Sequence, residues 1–547
     1  MSFFDDASLA FLPSSGAGKD GKAYSIKPTT GAGDFTFSRG SNLSATRVGP
    51  TGLIEKGREN LLLQSNQFDT TWFNINTTET GGQADKDGGS TAWLIEKSAS
   101  SAYIGQSVSQ SGVSTASVYA KAGDSDWIHF LTDNGGSSYF DLINGAIGAN
   151  SGLIDAKIES IGNGWYRCII SQSGGITRVR IYPAETNSVS ATSGSIYIQD
   201  AQFEIGLAAT DYIETGATTG KAGLLEDEPR FDYSGGATCP SLLLEPSRTQ
   251  LLPYTEWIGG WSDVNDATID GPQSFTLGST AARIQAGSIG GPSGDFVFYA
   301  VFDSADIGKT IRLAYFDSTA SSWNTGSNIT IDSNGRAERL ISTGSNVIGN
   351  VAFYGTSTSQ SFTLKYCQFE QGSYPTSYIP NHSGTGSVTR GADVCGDAGD
   401  ASTFNSTEGV LFAEIAALAD DGTYRLMNII DVSNTNNFIY LGYKNDSNTI
   451  RTRIEVGGIA STDMEYVLSN ETEFNKIAVK WKTNDFALWV NGVEVATDSS
   501  GVSFTANTLD KLSFDRNGGL EFNGKVNALQ VYKEALTDAE LATLTTI

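Results

Sequence analysis

Apolar and polar residues alternate with a period of two through most of this chain, and that rhythm decides what it can fold into. The runs STASVYAKA (114–122), WYRCIISQS (165–173), VRIYPAE (179–185), SIYIQDAQFE (195–204), DFVFYAVFD (295–303), TIRLAYFDS (310–318) and SFTLKYCQFE (361–370) are rich in Val, Ile, Tyr and Phe. Successive side chains of an extended strand point to opposite faces, so a period of two buries one face of a sheet, whereas a helix needs apolar residues every three to four positions. Gly, Ser, Asn and Asp separate the runs and supply turns. The pattern predicts an all-β chain built of β-sandwich (jelly-roll) domains in tandem. One helix signal stands out near the C-terminus, where Thr537 precedes Asp538 and Glu540 and predicts a capped short helix.

Two of these runs are near copies. AQFEIGLAATDYIETG (201–216) returns 166 residues later as CQFEQGSYPTSYIPNH (367–382), matching Gln202 with Gln368, Phe203 with Phe369, Glu204 with Glu370, Thr210 with Thr376, Tyr212 with Tyr378 and Ile213 with Ile379. A second pair, GLIEKGRENLLLQSN (52–66) and LLLEPSRTQLLPYTE (242–256), matches Glu55 with Glu245 and Arg58 with Arg248 at an offset of 190. Two anchors in the same order indicate a duplicated domain, since a solenoid would repeat every 20 to 50 residues or so. The landmarks divide the chain into an extended N-terminal segment (1–58), a first sandwich (59–216), a connector (217–241), a second sandwich (242–381), a connector (382–402) and a terminal domain (403–547). Within the second connector TRGAD (389–393) echoes SRGSN (38–42).

Charge and composition exclude several functions. A net charge of −26, from 35 Lys+Arg against 61 Asp+Glu, leaves no basic face to neutralise phosphates and argues against nucleic acid as a partner. No apolar run approaches the roughly 18 residues of a membrane span, and MSFFDDASLAFLPSSG lacks the positive start of a secretory signal, so a soluble chain without membrane insertion is expected. The four cysteines (168, 239, 367 and 395) are too scattered for a disulfide framework and are expected to be free thiols.

The terminal domain differs from the duplicated pair. Asn491-Gly492 lies between the alternating arms FALWV and VEVAT, a strong signal for a type I′ hairpin. The stretch from WVNGVEVA through FNGKVNALQVYKEALTDAEL resembles the end of a concanavalin A-like, laminin-G-like jelly roll. The earlier pattern, with FTFSRGSNLSATRV, GLIE, EPRFDY, LLLEPSRTQLL, GNGWYR and the repeated QFExGxxxTxYI, is similar to bacteriophage virion proteins of the tail-fibre and head-fibre type. In such appendages carbohydrate-binding-like modules precede a concanavalin A-like domain. The resemblance implies a virion protein assembled in the host cytoplasm, with residues 1–58 as its virion-anchoring segment. It also implies capsid, portal or tail proteins as partners, a homo-oligomer with a trimer as the working expectation, and host surface glycans as targets. Its pattern is split here around the first sandwich.

Catalytic constellations are not found. The two histidines, His129 and His382, cannot build a triad or a three-histidine metal site, and the chain lacks a phosphate-binding loop and an E-x-D-x-x-E run. No cofactor is implied. DVSNTNN (431–437) and NDSN (445–448) carry oxygens of the kind that hold calcium, but the same residues form Asx turns. Sugar binding fits better, because a pyranose stacks its C–H face on Trp or Tyr at loops or exposed sheet faces. Trp127 follows the turn AGDSD, Tyr139 follows DNGGSS, and Trp257, Trp261 and Trp323 sit among Gly and Ser; these five are the carbohydrate-binding candidates. Trp165 and Trp481 are assigned to the core. The expected function is therefore a non-enzymatic, lectin-like virion appendage. A purely architectural virion protein is the alternative, and a polysaccharide-degrading enzyme the third reading.

Overall fold

The computed structural model describes residues 3–14, 18–40, 43–291, 293–516 and 518–547. The fold is all-β. The predicted runs become the strands Val113–Ala122, Trp165–Ser173, Ile176–Ala184, Gly194–Ile205, Asp295–Phe302, Thr310–Asp317 and Gln360–Gln371. The first sandwich packs two six-stranded sheets on each other. One runs Asp155–Gly162, Trp165–Ser173, Val113–Ala122, Gly194–Ile205, Ala92–Lys97, Thr77–Gln83; the other Ala146–Ser151, Gly136–Asp141, Trp127–Thr132, Ile176–Ala184, Tyr103–Gln110, Phe73–Ile75. The second sandwich repeats the plan, its second sheet running Ser262–Val264, Arg283–Gln285, Ile348–Tyr354, Thr310–Asp317, Ser322–Asn324. Each sandwich encloses its own apolar core.

The repeated letters form a hydrogen-bonded clasp. Phe203 and Phe369 are fully buried. Gln202 Oε1 accepts from the Ile213 amide at 2.7 Å and Gln368 Oε1 from the Ile379 amide at 2.7 Å. The Glu204 carboxylate takes the amide and hydroxyl of Thr210 at 2.8 and 2.7 Å, and Glu370 takes those of Thr376, both at 2.7 Å. The hydroxyl pairs Tyr212–Ser65 and Tyr378–Thr255 close at 2.6 and 2.5 Å. Opposite them, Asn60 and Gln250 each use one carboxamide oxygen to accept two amides, those of Leu62 and Phe203 and those of Leu252 and Phe369. An unpaired buried amide is costly, so each side chain of the clasp is held to its place by the backbone group it satisfies.

The terminal jelly roll does not begin at residue 403. Its larger sheet is built on Gly524–Tyr532, which pairs on one side with Glu408–Ala417. Its other edge is shared by two short strands from far away in the chain, Leu9–Phe11 against residues 529–531 and Ser241–Leu244 against residues 524–526. Arg230–Asp232 extends the sheet beyond Ser241–Leu244, and Phe35–Ser38 pairs with Val394–Gly396 beside it. Phe11, Phe35, Phe37, Leu242 and Leu244 lie in one core with Leu411, Trp481 and Val531. The expectation of a separate segment at 1–58 and of connectors at 217–241 and 382–402 is thereby corrected: strands from all three complete the terminal domain. The physical reason is edge closure, since an open strand edge leaves a row of unpaired backbone groups. At the end of the chain Thr537 caps the helix Asp538–Thr545 in a capping box with Glu540, and Leu541 and Leu544 pack beside Ala7, Ala10 and Trp489. A second short helix, Phe3–Asp6, precedes the first strand.

A buried ionic knot ties these segments together. Arg39 meets Asp393 at 3.1 Å; Arg230 meets both Asp393 and Glu245, the latter at 2.6 Å; and Arg390 meets Glu245 at 2.8 Å. All five side chains are 0–4% exposed. Backbone groups complete the coordination: Asp393 accepts from the Glu245 amide, Glu245 from the Ser377 amide, and the Arg39 guanidinium donates to the carbonyls of Leu225, Glu226 and Glu228. SRG, EPRFDY, LLLEP and TRGAD thus converge on one site.

The two sandwiches also touch directly. The Val113 amide donates to the His382 carbonyl at 2.8 Å, and a Cβ on Gly112 would lie only 2.1 Å from that oxygen. All four cysteines are free, with Cys239 exposed and the rest buried. No described helix is long and apolar enough to cross a membrane.

Replacing Gln202 or Gln368 with Ala strands the Ile213 or Ile379 amide and should cost about 1–3 kcal/mol, read as a lowered urea midpoint. The knot carries its own pH signature. Burial alone would raise the Glu245 carboxyl, but Arg390 and Arg230 outweigh it and hold it at about 2, below its usual 4.5. A carboxylate depressed in the folded state contributes stability that is present above pH 4.5 and lost as pH falls toward 2. Glu245→Gln should therefore destabilise the chain at pH 7 and flatten the decline in thermal midpoint over that acid window.

Candidate functional site

The second sheet of the first sandwich shows why alternation matters for function. Ile128, Phe130, Phe140, Val179, Ile181 and Ile104 fill the core. The intervening positions must point away from it, and several are aromatic: Trp127 and His129, Tyr139, Tyr103, and Tyr182, which its neighbours cover to 7% exposure. Register places His129 directly between Tyr139 and Tyr182 on neighbouring strands. The His129 and Tyr139 rings stack at 4.0 Å with 6° between planes. Tyr182 lies 5.4 Å from His129 and 4.7 Å from Tyr103, which meets Phe73 edge-on at 6.1 Å. Five rings thus form a row across five strands, roughly 19 Å long at ~4.8 Å per strand spacing.

Polar groups edge this row. Arg180 lies over Tyr103 at 4.9 Å, donates to Asp133 at 2.6 Å and to the Tyr182 hydroxyl at 3.3 Å. Arg178, about half exposed, lies over Phe73 and reaches Asp133 at 3.8 Å. Burial pulls the His129 imidazole down to about 4, so it is neutral at ordinary pH and stacks as an uncharged ring. Trp127 lies against Gly148 of the edge strand; a Cβ there would come within 2.6 Å of its ring, so glycine makes room for the indole.

Of the five candidates, Trp127 and Tyr139 come together on this face. Trp323 lies in Ser322–Asn324 of the second sandwich, the strand that corresponds to Gly136–Asp141, and packs at 5.5 Å on both Phe316 and Tyr354. Trp257 is partly buried, edge-on to Tyr254 at 4.8 Å, and lines a cleft of about 380 Å³ between the sandwiches. Trp261 is corrected to a core residue: it is 5% exposed, stacks on Phe353 at 5.2 Å and donates its indole N–H to the Tyr254 carbonyl. Trp72 is its counterpart, donating to the Gln64 carbonyl at 3.1 Å. Trp165 and Trp481 are buried as assigned. Phe73, Tyr103, Tyr182 and His129 were not among the candidates. The signal for Tyr182 was present, since in VRIYPAE the tyrosine falls on the side opposite Val179 and Ile181.

The calcium-like loop is occupied by its own donors. Asp431 accepts from the amides of Ser433 and Asn434, the Ser433 hydroxyl and the Asn437 carboxamide. Among the described residues no group of three or more His, Cys, Asp or Glu could hold a metal ion.

Fold and site together define an all-β, multi-domain protein with an aromatic sheet face and a concanavalin A-like terminal domain. A family model described as the concanavalin A-like lectin/glucanases superfamily matches residues 415–542. Among solved structures, the CBM40 module of the Ruminococcus gnavus IT-sialidase bound to α2,3-sialyllactose is 18% identical over 28% of this chain and 94% of that one, with a TM-score of 0.24. A point mutant of NanB sialidase from Streptococcus pneumoniae is 17% identical over 27% of this chain but only 25% of its own, at 0.23. Domain 4 of the Geobacillus stearothermophilus arabinanase AbnA, in complex with arabinotriose, is 14% identical over 28% and 73%, at 0.23. No curated protein sequence matches the chain.

Proposed function

We propose that this chain is a non-catalytic glycan-binding protein whose first sandwich holds oligosaccharide on the row Phe73–Tyr103–Tyr182–His129–Tyr139. The carrying observation is that row, with Arg178, Arg180 and Asp133 at its edge, because sugars need ring faces for their C–H surfaces and polar groups for their hydroxyls. The match of residues 415–542 to the concanavalin A-like lectin/glucanases superfamily fits this class of function. Binding without turnover is favoured by the chemistry of the face, where Asp133 is paired with Arg178 and Arg180 while glycoside hydrolysis needs two working carboxylates. Its placement is proposed as the virion of a bacteriophage, in a tail or head fibre or capsid-attached appendage displaying these domains to host surface glycans. What supports this placement is the resemblance carried by FTFSRGSNLSATRV, GLIE, EPRFDY, LLLEPSRTQLL, GNGWYR and the repeated QFExGxxxTxYI. Several copies per particle, a trimer in the simplest arrangement, would make individually weak sites effective by raising local concentration.

The test is a glycan array followed by calorimetric titration of the full chain. A ligand should be found, and Tyr139→Ala and Tyr103→Ala should each weaken it at least tenfold while the melting temperature stays near that of the parent. Ligand binding indifferent to both truncations would remove the row as the site.

A further inference from the structure

The same sheet of the second sandwich carries a face of different electrostatic character. Residues that alternate onto its solvent side include Arg283, Tyr354, Arg312, Phe316, Trp323 and Asn350, and no Asp or Glu among the described residues. Register puts Tyr354 directly between Arg283 and Arg312 on neighbouring strands, so the two guanidinium groups bracket one ring at 5.7 and 5.8 Å. Arg283 also lies over Trp323 at 5.2 Å. Two strand spacings set the arginine backbones roughly 10 Å apart.

Both cations are held without being neutralised. Arg312 donates to the Thr280 carbonyl at 2.6 Å and the Gly355 carbonyl at 3.1 Å, and Arg283 uses its Nε on Gln285 Oε1 at 2.8 Å. Neither has a carboxylate within 4.0 Å among the described residues. On the first sandwich the corresponding face differs, because Asp133 pairs with both Arg178 and Arg180. In a chain of net charge −26, these two fixed guanidinium groups lie on one face without a counter-charge. A guanidinium binds a carboxylate through two parallel N–H bonds; with Nε of both arginines and Nη2 of Arg312 engaged, an acid would be met by their remaining Nη hydrogens.

We propose that this face is a second saccharide site, specific for sugars bearing a carboxylate: Trp323 and Phe316 take the ring, and Arg283 with Arg312 takes the acid group. The inference rests on the reading that aromatic sheet faces of these sandwiches bind sugar. It divides the work between neutral glycan on the first sandwich and acidic glycan on the second.

The experiment presents the full chain with an array holding uronate-containing, sialylated, sulfated and neutral glycans. At least one carboxylated glycan should bind, fall at least tenfold with Arg283→Gln, recover partly with Arg283→Lys, and weaken in 0.5 M salt on the order expected for exposed charges. Tyr139→Ala should leave that binding unchanged. Trp323→Ala should reduce it, with thermal melting confirming that each variant is folded. Neutral glycan bound through Tyr139 but no carboxylated glycan retained would overturn this inference and leave the first site standing. Retention of sulfated glycans alone, or acid binding indifferent to Arg283→Gln, would also overturn it. Absence of binding to any glycan would instead defeat the common reading on which both sites rest.

Discussion

Three arginines and two acids, buried where four stretches of chain meet, set the architecture of this protein. Arg39 comes from the N-terminal segment, Arg230 from the link between the sandwiches, Glu245 from just after the Ser241–Leu244 strand, and Arg390 and Asp393 from the link to the terminal jelly roll. Desolvating five charges is expensive, and an apolar cluster of equal volume could have stabilised the region as well. What charges add is selectivity. Removing either acid leaves a buried arginine without its carboxylate, Arg39 when Asp393 is lost and Arg390 when Glu245 is lost, so the segments dock in the combination that satisfies all five. Arginine suits the task because one guanidinium can address several acceptors at once; Arg39 reaches Asp393 and three carbonyls.

From that knot follow the two other features of the chain. Short strands recruited from distant sequence close the edge of Gly524–Tyr532 and so tie the jelly roll to the chain before each sandwich. Each sandwich then closes on its own clasp of glutamine, glutamate, threonine and tyrosine, and the strands of its second sheet pair only among themselves. The duplication preserved the clasp and changed those faces. In the first sandwich Asp133 neutralises the arginines beside the rings, and in the second the arginines stand without an acid.

Much of this was legible in the sequence, for reasons that can be traced to particular residues. Strands such as Thr310–Asp317 are long enough for alternation to register, and Asn491-Gly492 adopts the positive φ values, 50° and 87°, that its hairpin turn requires. Thr537 caps its helix because the side chain and Glu540 satisfy each other's exposed amides. Leu9–Phe11, Arg230–Asp232 and Ser241–Leu244 were not legible: three or four residues carry no period, and Leu9–Phe11 and Ser241–Leu244 pair with a strand hundreds of positions away while Arg230–Asp232 pairs only with the second of these. At the site, Trp127 and Tyr139 were found from their turns, whereas Tyr182 and Tyr103 needed the side of each strand to be followed. Trp261 was misplaced by its glycine neighbours. Its match to Trp72, each bonded to a carbonyl at corresponding positions of the repeat, marks both as core.

Hydrogen exchange on the intact chain in native buffer tests the role of the knot most directly. If one buried network holds the terminal domain together, peptides covering Leu9–Phe11, Phe35–Ser38, Ser241–Leu244 and Gly524–Tyr532 will exchange in a single cooperative step with a common opening free energy. Asp393→Asn will accelerate all four together. Early exchange of the N-terminal and linking peptides, with Gly524–Tyr532 still protected, would contradict the account and show the jelly roll to be stable without them.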